Sequence, residues 1–158
     1  MSTETTMMPN LKLVSEVRET GSCGGGCGRG KVVPLPEGVK AKPNTPELLE
    51  HDLRTLATFI RVYCHAKHSD QSPVDLKGFD LKYLVGKDLE LCPECVKLLA
   101  HAFVKRSHCP RDPKPQCKHC PTHCYQKAYR EKIREVMRFS GTRMLLTGRL
   151  DYLYHLFF

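Results

Sequence analysis

The sequence predicts a small all-α domain, stapled by one or two Cys/His metal sites and preceded by a disordered N-terminal tail. Three observations carry that prediction. Apolar residues recur at spacings of three and four through several stretches from residue 45 onward, the period of a helix with one buried face. Six of the nine cysteines lie between Cys92 and Cys124, in the order Cys92-x2-Cys95-x13-Cys109-x7-Cys117-x2-Cys120-x3-Cys124. The first 44 residues are rich in Gly and Pro and lack a periodic apolar stripe. At 158 residues the chain can hold one domain with a modest core.

Residues 1–44 read as a flexible tail and residues 45–158 as the helical domain. Within the tail, Gly25 to Gly30 and Lys31 have the glycine and lysine spacing of a phosphate-binding loop. Val32 stands where Ser or Thr belongs, and Pro34 and Pro36 prevent the following helix, so the match reads as chance. Cys23 and Cys27 read as two thiols on that tail. The first helix is expected from Thr45 to about His68. Thr45 can cap it, Pro46 suits its first position and Glu47 favours its positive end. Leu49, Leu53, Leu56, Ile60 and Tyr63 form its stripe. Residues 74–91 allow only a short helix or turn. A second helix is expected from about Glu94 to Arg106, with Val96, Leu99 and Phe103 inward. The stretch from His108 to Pro121 holds four prolines and three cysteines, an irregular loop that needs a staple. A third helix is expected from about Thr122 to Phe139, with Tyr125, Tyr129, Ile133 and Val136 inside and Gly141 as its stop. Leu150, Leu153, Tyr154 and Phe157 suggest a last amphipathic segment.

The cysteine spacings point to metal. Paired C-x-x-C cysteines bring two thiolates to one ion, and thiolate is a soft ligand for zinc and iron–sulfur clusters. A disulfide framework belongs to secreted chains, and the N-terminus lacks a basic segment followed by a long apolar one, so a cytoplasmic location is expected. No apolar run approaches 18 residues, which argues against a membrane span. One candidate site joins Cys109, Cys117, Cys120 and Cys124, with Cys124 near the start of a helix; a [4Fe-4S] cluster or zinc would suit it. A second joins Cys64, Cys92 and Cys95 with His68 or His65, for zinc or an unassigned metal. Cys64 and His68 are i,i+4, and Cys92 and Cys95 open the second helix, where the positive helix end favours thiolate. Pairing Cys92 and Cys95 with Cys117 and Cys120 as a zinc ribbon strands Cys109 and Cys124.

Charge is unevenly placed. Residues 1–100 carry 13 basic and 13 acidic side chains, whereas residues 101–158 carry 12 basic and 4 acidic ones. Such an excess suits a polyanion such as nucleic acid, here through Lys127, Arg130, Arg134 and Arg138. It equally suits basic groups balancing an anionic metal–thiolate centre.

The segment from Cys109 through Cys117, Cys120, His123, Cys124 and Tyr125, with Val136, Met137, Arg138, Gly141, Arg143, Met144 and Leu145 beyond it, resembles the bacterial nitrous oxide-stimulated promoter family. Tyr63, Cys64 and His68 and the Cys92–Cys95 pair resemble members of the same family, and the likeness covers about residues 50–158. Thr142 departs from it where the family typically has proline; the tail and residues 70–91 lie outside the pattern. The resemblance implies a role in the response to nitric oxide and carries no established reaction. A non-enzymatic metal-binding protein of nitrosative stress is therefore the leading expectation. A zinc-type nucleic-acid-binding module and a thiol redox enzyme are the alternatives. The last lacks the βα junction on which redox C-x-x-C pairs sit.

Overall fold

The computed structural model describes residues 33–147. Its elements run β1 (Ala41–Lys42), α1 (Pro46–Lys67), β2 (Ser72–Pro73), α2 (Leu81–Val85), β3 (Glu90–Leu91), α3 (Pro93–Ser107), β4 (Lys114–Pro115), a 3-10 turn (Cys117–His119) and α4 (Lys127–Leu146). The fold is helix-rich with small β elements, which the all-α expectation did not include. Two-residue strands carry too few side chains to show a period.

Helix α1 begins as its sequence dictates. The Thr45 hydroxyl accepts from the Leu48 N–H at 3.3 Å, and Pro46 occupies the first turn. Its buried stripe contains Leu49, Leu53, Leu56, Phe59, Ile60, Tyr63 and Cys64. This stripe packs against α3 on one side and α4 on the other, with α2 beneath. Helix α3 contributes Leu98, Leu99, Ala102 and Phe103, and the Phe103 ring meets Phe79 edge-on at 4.9 Å. The short α2 is capped by Asp80, whose carboxylate accepts from Tyr83 N at 2.8 Å, and stops at Gly86 with φ 74°.

The third long helix differs from expectation at both ends. It starts at Lys127 instead of Thr122, so Cys124 lies in the segment leading to it. It continues to Leu146, so Gly141 is not a stop. Ser140 and Gly141 are buried instead, and Ser140 Oγ donates to the Phe59 carbonyl of α1 at 2.7 Å. Small residues here let the two helices approach closely. The expected segment at 150–157 and the thiols Cys23 and Cys27 lie outside the described residues.

Two short antiparallel ladders set the loops. Ser72–Pro73 pairs with Glu90–Leu91, which places Cys92 directly after β3 and at the head of α3. Ala41–Lys42 pairs with Lys114–Pro115 and ties the approach to α1 onto the proline-rich loop. Asn44 reinforces this: its N–H donates to Asp112 Oδ1 at 3.0 Å and its amide to the Cys109 carbonyl at 3.3 Å. The Asp112–Pro113 peptide is cis.

Candidate metal centre

Helix α1 ends where the site begins. His68 leaves the helix with extended backbone (φ −127°, ψ 155°), and its N–H still donates to the Cys64 carbonyl at 2.8 Å. His68 is thus the residue just past the helix. The Gln71 amide donates to the carbonyls of His68 (2.8 Å) and Cys64 (3.3 Å) and fixes the turn. Cys92 is the N-cap residue of α3, and Cys95 sits in the first turn.

These pieces converge. The ligand atoms of Cys64, His68, Cys92 and Cys95 all lie within 4.8 Å of one another. His68 Nδ1 is 3.1 Å from Cys92 Sγ and 3.4 Å from Cys95 Sγ. Around one tetrahedral zinc, with bonds of about 2.3 Å to sulfur and 2.0–2.1 Å to nitrogen, a sulfur–nitrogen separation near 3.5 Å is expected. The four donors therefore fit one ion. Cys64, Cys92 and Cys95 are buried, and the Cys92 N–H donates to Cys64 Sγ at 3.2 Å, a bond that favours thiolate. His65, the other candidate, turns away: its Nε2 lies 3.3 Å from the Glu90 carbonyl.

Without a metal charge the three thiols ionise unequally. Desolvation pushes Cys64 and Cys95 up. At Cys92 desolvation acts in the same direction, but hydrogen bonds from the Cys95 backbone, the Cys95 and Cys64 side chains and the Glu94 backbone outweigh it, and the pKa falls. One thiolate is thus favoured at the helix N-terminus, and a metal must displace protons from the other two. Between α3 and α4 a cavity of about 210 Å³, lined by Glu94, Cys95, Leu98, Ala128, Tyr129 and Lys132, opens beside Cys95.

The other four cysteines do not form such a group; among the described residues Cys109, Cys117, Cys120 and Cys124 are not brought within 4.8 Å of one another. They are still electrostatic neighbours. Cys124 is pushed up to about 11, first by burial and then by Cys117, Cys109 and Cys120. Around them runs a polar network that sequence reasoning missed. Arg106 Nε (2.5 Å) and Lys114 Nζ (3.1 Å) share the Asp52 carboxylate, and Arg106 Nη1 donates to Asn44 Oδ1 at 3.0 Å. Arg111 donates to the Val33 carbonyl at 3.0 Å and to Thr122 Oγ1 at 2.7 Å. Charged residues usually face water, so composition gives no sign that these three are inside.

On α4, Lys127, Arg134 and Arg138 are exposed and Arg130 is half-buried. Burial first, then the charges of Arg130 and Arg134, lowers the pKa of His123. No helix of the described residues is long and apolar enough to cross a membrane.

The comparisons with known proteins agree on one lineage. A stretch of 32 residues is 59% identical to the uncharacterized protein YgbA of Escherichia coli strain K12, covering 20% of this chain and 27% of that relative's length. No solved structure matches the fold. The sequence profile described as nitrous oxide-stimulated promoter matches residues 47–158, a span that holds all eight candidate ligands. The chain belongs to the nitrous oxide-stimulated promoter family.

Proposed function

We propose that this chain is a non-enzymatic, cytoplasmic metal–thiolate protein of the nitric oxide response, with Cys64, His68, Cys92 and Cys95 as its principal centre. One observation carries the reading: four donors from two helix ends meet within 4.8 Å. Three sulfurs and one imidazole are the donor set of a structural zinc site. When bound, such a metal holds its thiolates ionised and nucleophilic, the state in which they react with nitrosating species. The protein's own contribution is to seat that set. The helix end of α3 and the Cys92 N–H stabilise sulfur charge, and the cavity beside Cys95 admits a small molecule. The family name supports the nitrogen-oxide context. Cys109, Cys117, Cys120 and Cys124 are read as a second centre, either a [4Fe-4S] cluster or zinc. Their C-x2-C-x3-C run resembles the last three ligands of a cluster-binding segment and supports the cluster.

The test is metal analysis and ultraviolet–visible spectroscopy of anaerobically purified protein. Cys64→Ala is expected to lose one metal per chain, and a low-molecular-weight S-nitrosothiol, which transfers NO⁺ to a thiolate and leaves as thiolate itself, to release metal from the wild type. Unchanged stoichiometry in Cys64→Ala would make Cys64 ordinary core.

A second reading is supported by the exposed cations of α4. Among the described residues Lys127, Arg130, Arg134 and Arg138 form no ion pair. If they bind nucleic acid, affinity falls steeply with salt. A salt-independent or absent association would remove this reading.

A further inference from the structure

The cavity between α3 and α4 meets one cysteine of the donor cluster and not the others: Cys95 lines it, whereas Cys64 and Cys92 do not. Glu94 and Ala128 are exposed, so it opens to solvent. Its walls are apolar and held in place. Leu98 is buried, and the Tyr129 ring is stacked on His101 at 4.0 Å. Two charges of opposite sign complete the lining, Glu94 from α3 and Lys132 from α4. An apolar hollow with a few placed polar groups is the usual form of a small-molecule site.

Both charges have capacity for a ligand. Lys132 Nζ donates to Tyr63 Oη at 3.0 Å and to Glu135 Oε2 at 3.4 Å. An ammonium has three N–H groups, so one remains. Glu94 enters no ion pair among the described residues. A ligand that bridges the two carries an anionic group for Lys132 and a cationic one for Glu94. Size narrows the choice. The cavity volume is about 210 Å³. An apolar cavity of about 150 Å³ takes a benzene molecule, so this one has room for about eight non-hydrogen atoms. That is the scale of a free amino acid such as cysteine and far below a tripeptide. A cysteine-sized zwitterion suits both the charges and the room.

We infer that this cavity binds an amino-acid S-nitrosothiol, carboxylate toward Lys132 and ammonium toward Glu94, and passes its nitroso group to Cys95. The inference rests on the metal–thiolate reading, which supplies Cys95 as a thiolate, and adds which sulfur reacts and with what class of reagent. The Cys95 sulfur attacks the nitroso nitrogen. A new S–N bond forms as the old one breaks. The electron pair of the old bond leaves on the reagent's sulfur, which departs as a thiolate and takes a proton from water. NO⁺ changes sulfur, and no further oxidant or reductant is consumed. Cys95 is then no longer an anion and drops out of the donor set.

The experiment treats the zinc-loaded full chain with S-nitroso-L-cysteine, with S-nitrosocysteamine, which lacks the carboxylate, or with S-nitrosomercaptopropionate, which lacks the amine. Mass spectrometry locates the nitrosated cysteines, and a chromophoric chelator follows zinc release. Each rate is divided by that of the urea-unfolded chain with the same reagent, so that intrinsic reactivities cancel. Cys95 is expected to be modified first. S-nitroso-L-cysteine is expected to outpace each analogue by about fivefold, the upper range for one exposed ion pair. Glu94→Gln should abolish its advantage over the amine-free reagent alone, and Lys132→Gln that over the carboxylate-free reagent alone, with circular dichroism checking the fold. Equal normalised rates for the three reagents on wild type overturn the inference. So does first modification at Cys64, Cys92 or a loop cysteine, and neither outcome depends on how a variant folds. A wild type that binds no zinc ends the proposed function. Zinc released with indifference to reagent charge ends this inference and leaves that function standing.

Discussion

At the scale of single residues, the ligands reveal themselves through spacing, and their partners do not. Cys64, His68, Cys92 and Cys95 stand out because i,i+4 and C-x-x-C spacings put donors on one side of a chain turn. The Gln71 amide that holds the turn, and the Cys92 N–H bond to Cys64, depend on contacts that no local pattern records. The same is true of His101, which stacks on Tyr129 at 4.0 Å and meets Tyr125 edge-on at 5.3 Å. Burial, then the charge of Lys105, lowers its pKa from the ordinary 6.5. A depressed pKa means the unfolded chain takes up the proton first as pH falls. His101 therefore subtracts stability as pH drops through about 6.5, until its folded pKa is passed. Thermal melts from pH 8 to 5 should show a shallower acid slope for His101→Phe, which keeps the stack and removes the titration. Phe103, fully buried against Phe79, should cost about 3–5 kcal/mol when changed to Ala, read by denaturant unfolding.

At the scale of elements, α1 and α3 were legible at both ends and α4 at neither. The Thr45–Pro46 start of α1 is local chemistry, and Thr45→Ala should cost about 1 kcal/mol in the same unfolding measurement. The far end of α4 is decided by packing. Gly141 has the composition of a stop, yet burial of Ser140 and Gly141 against α1 carries the helix on to Leu146. The start of α4 was misplaced for a related reason. Tyr125 continues the apolar period backward from α4, but the chain there follows the cysteine loop instead of the helix. The four two-residue strands left no trace in the sequence, because they are held by partners 17 residues or more away.

At the scale of the whole molecule, the uneven charge takes on a different meaning. Of the cations that make residues 101–158 basic, Arg106, Arg111 and Lys114 point inward, so the surface is less positive than composition suggests. The two ends of α1 carry different polar clusters: one seats the His68-centred donors, the other meets the proline-rich loop through Asp52 and Asn44. Stability should then depend on metal at the first of these ends. Chelation is expected to lower the melting temperature of wild type, and the loss should be smaller in Cys64→Ala, which has already forfeited one centre. Because Cys64 and Cys95 hold their protons in the absence of metal, zinc affinity should rise with pH, read by competition with a chromophoric chelator between pH 6 and 8.

Tyr63 gives this protein a lamp of its own. It precedes Cys64 in the chain, its ring meets His68 edge-on at 5.5 Å, and its hydroxyl donates to Glu135 at 2.5 Å while accepting from Lys132 at 3.0 Å. The sequence has no tryptophan to outshine its six tyrosines. A phenol bound to a carboxylate emits weakly, so any shift of Cys64 and His68 that loosens the Glu135 bond should brighten the emission. Metal loading can thus be followed by light in the unlabelled protein, and Tyr63→Phe should remove most of the signal. The same bond joins the donor cluster to the basic helix, so the fluorescence reports on the contact between the two.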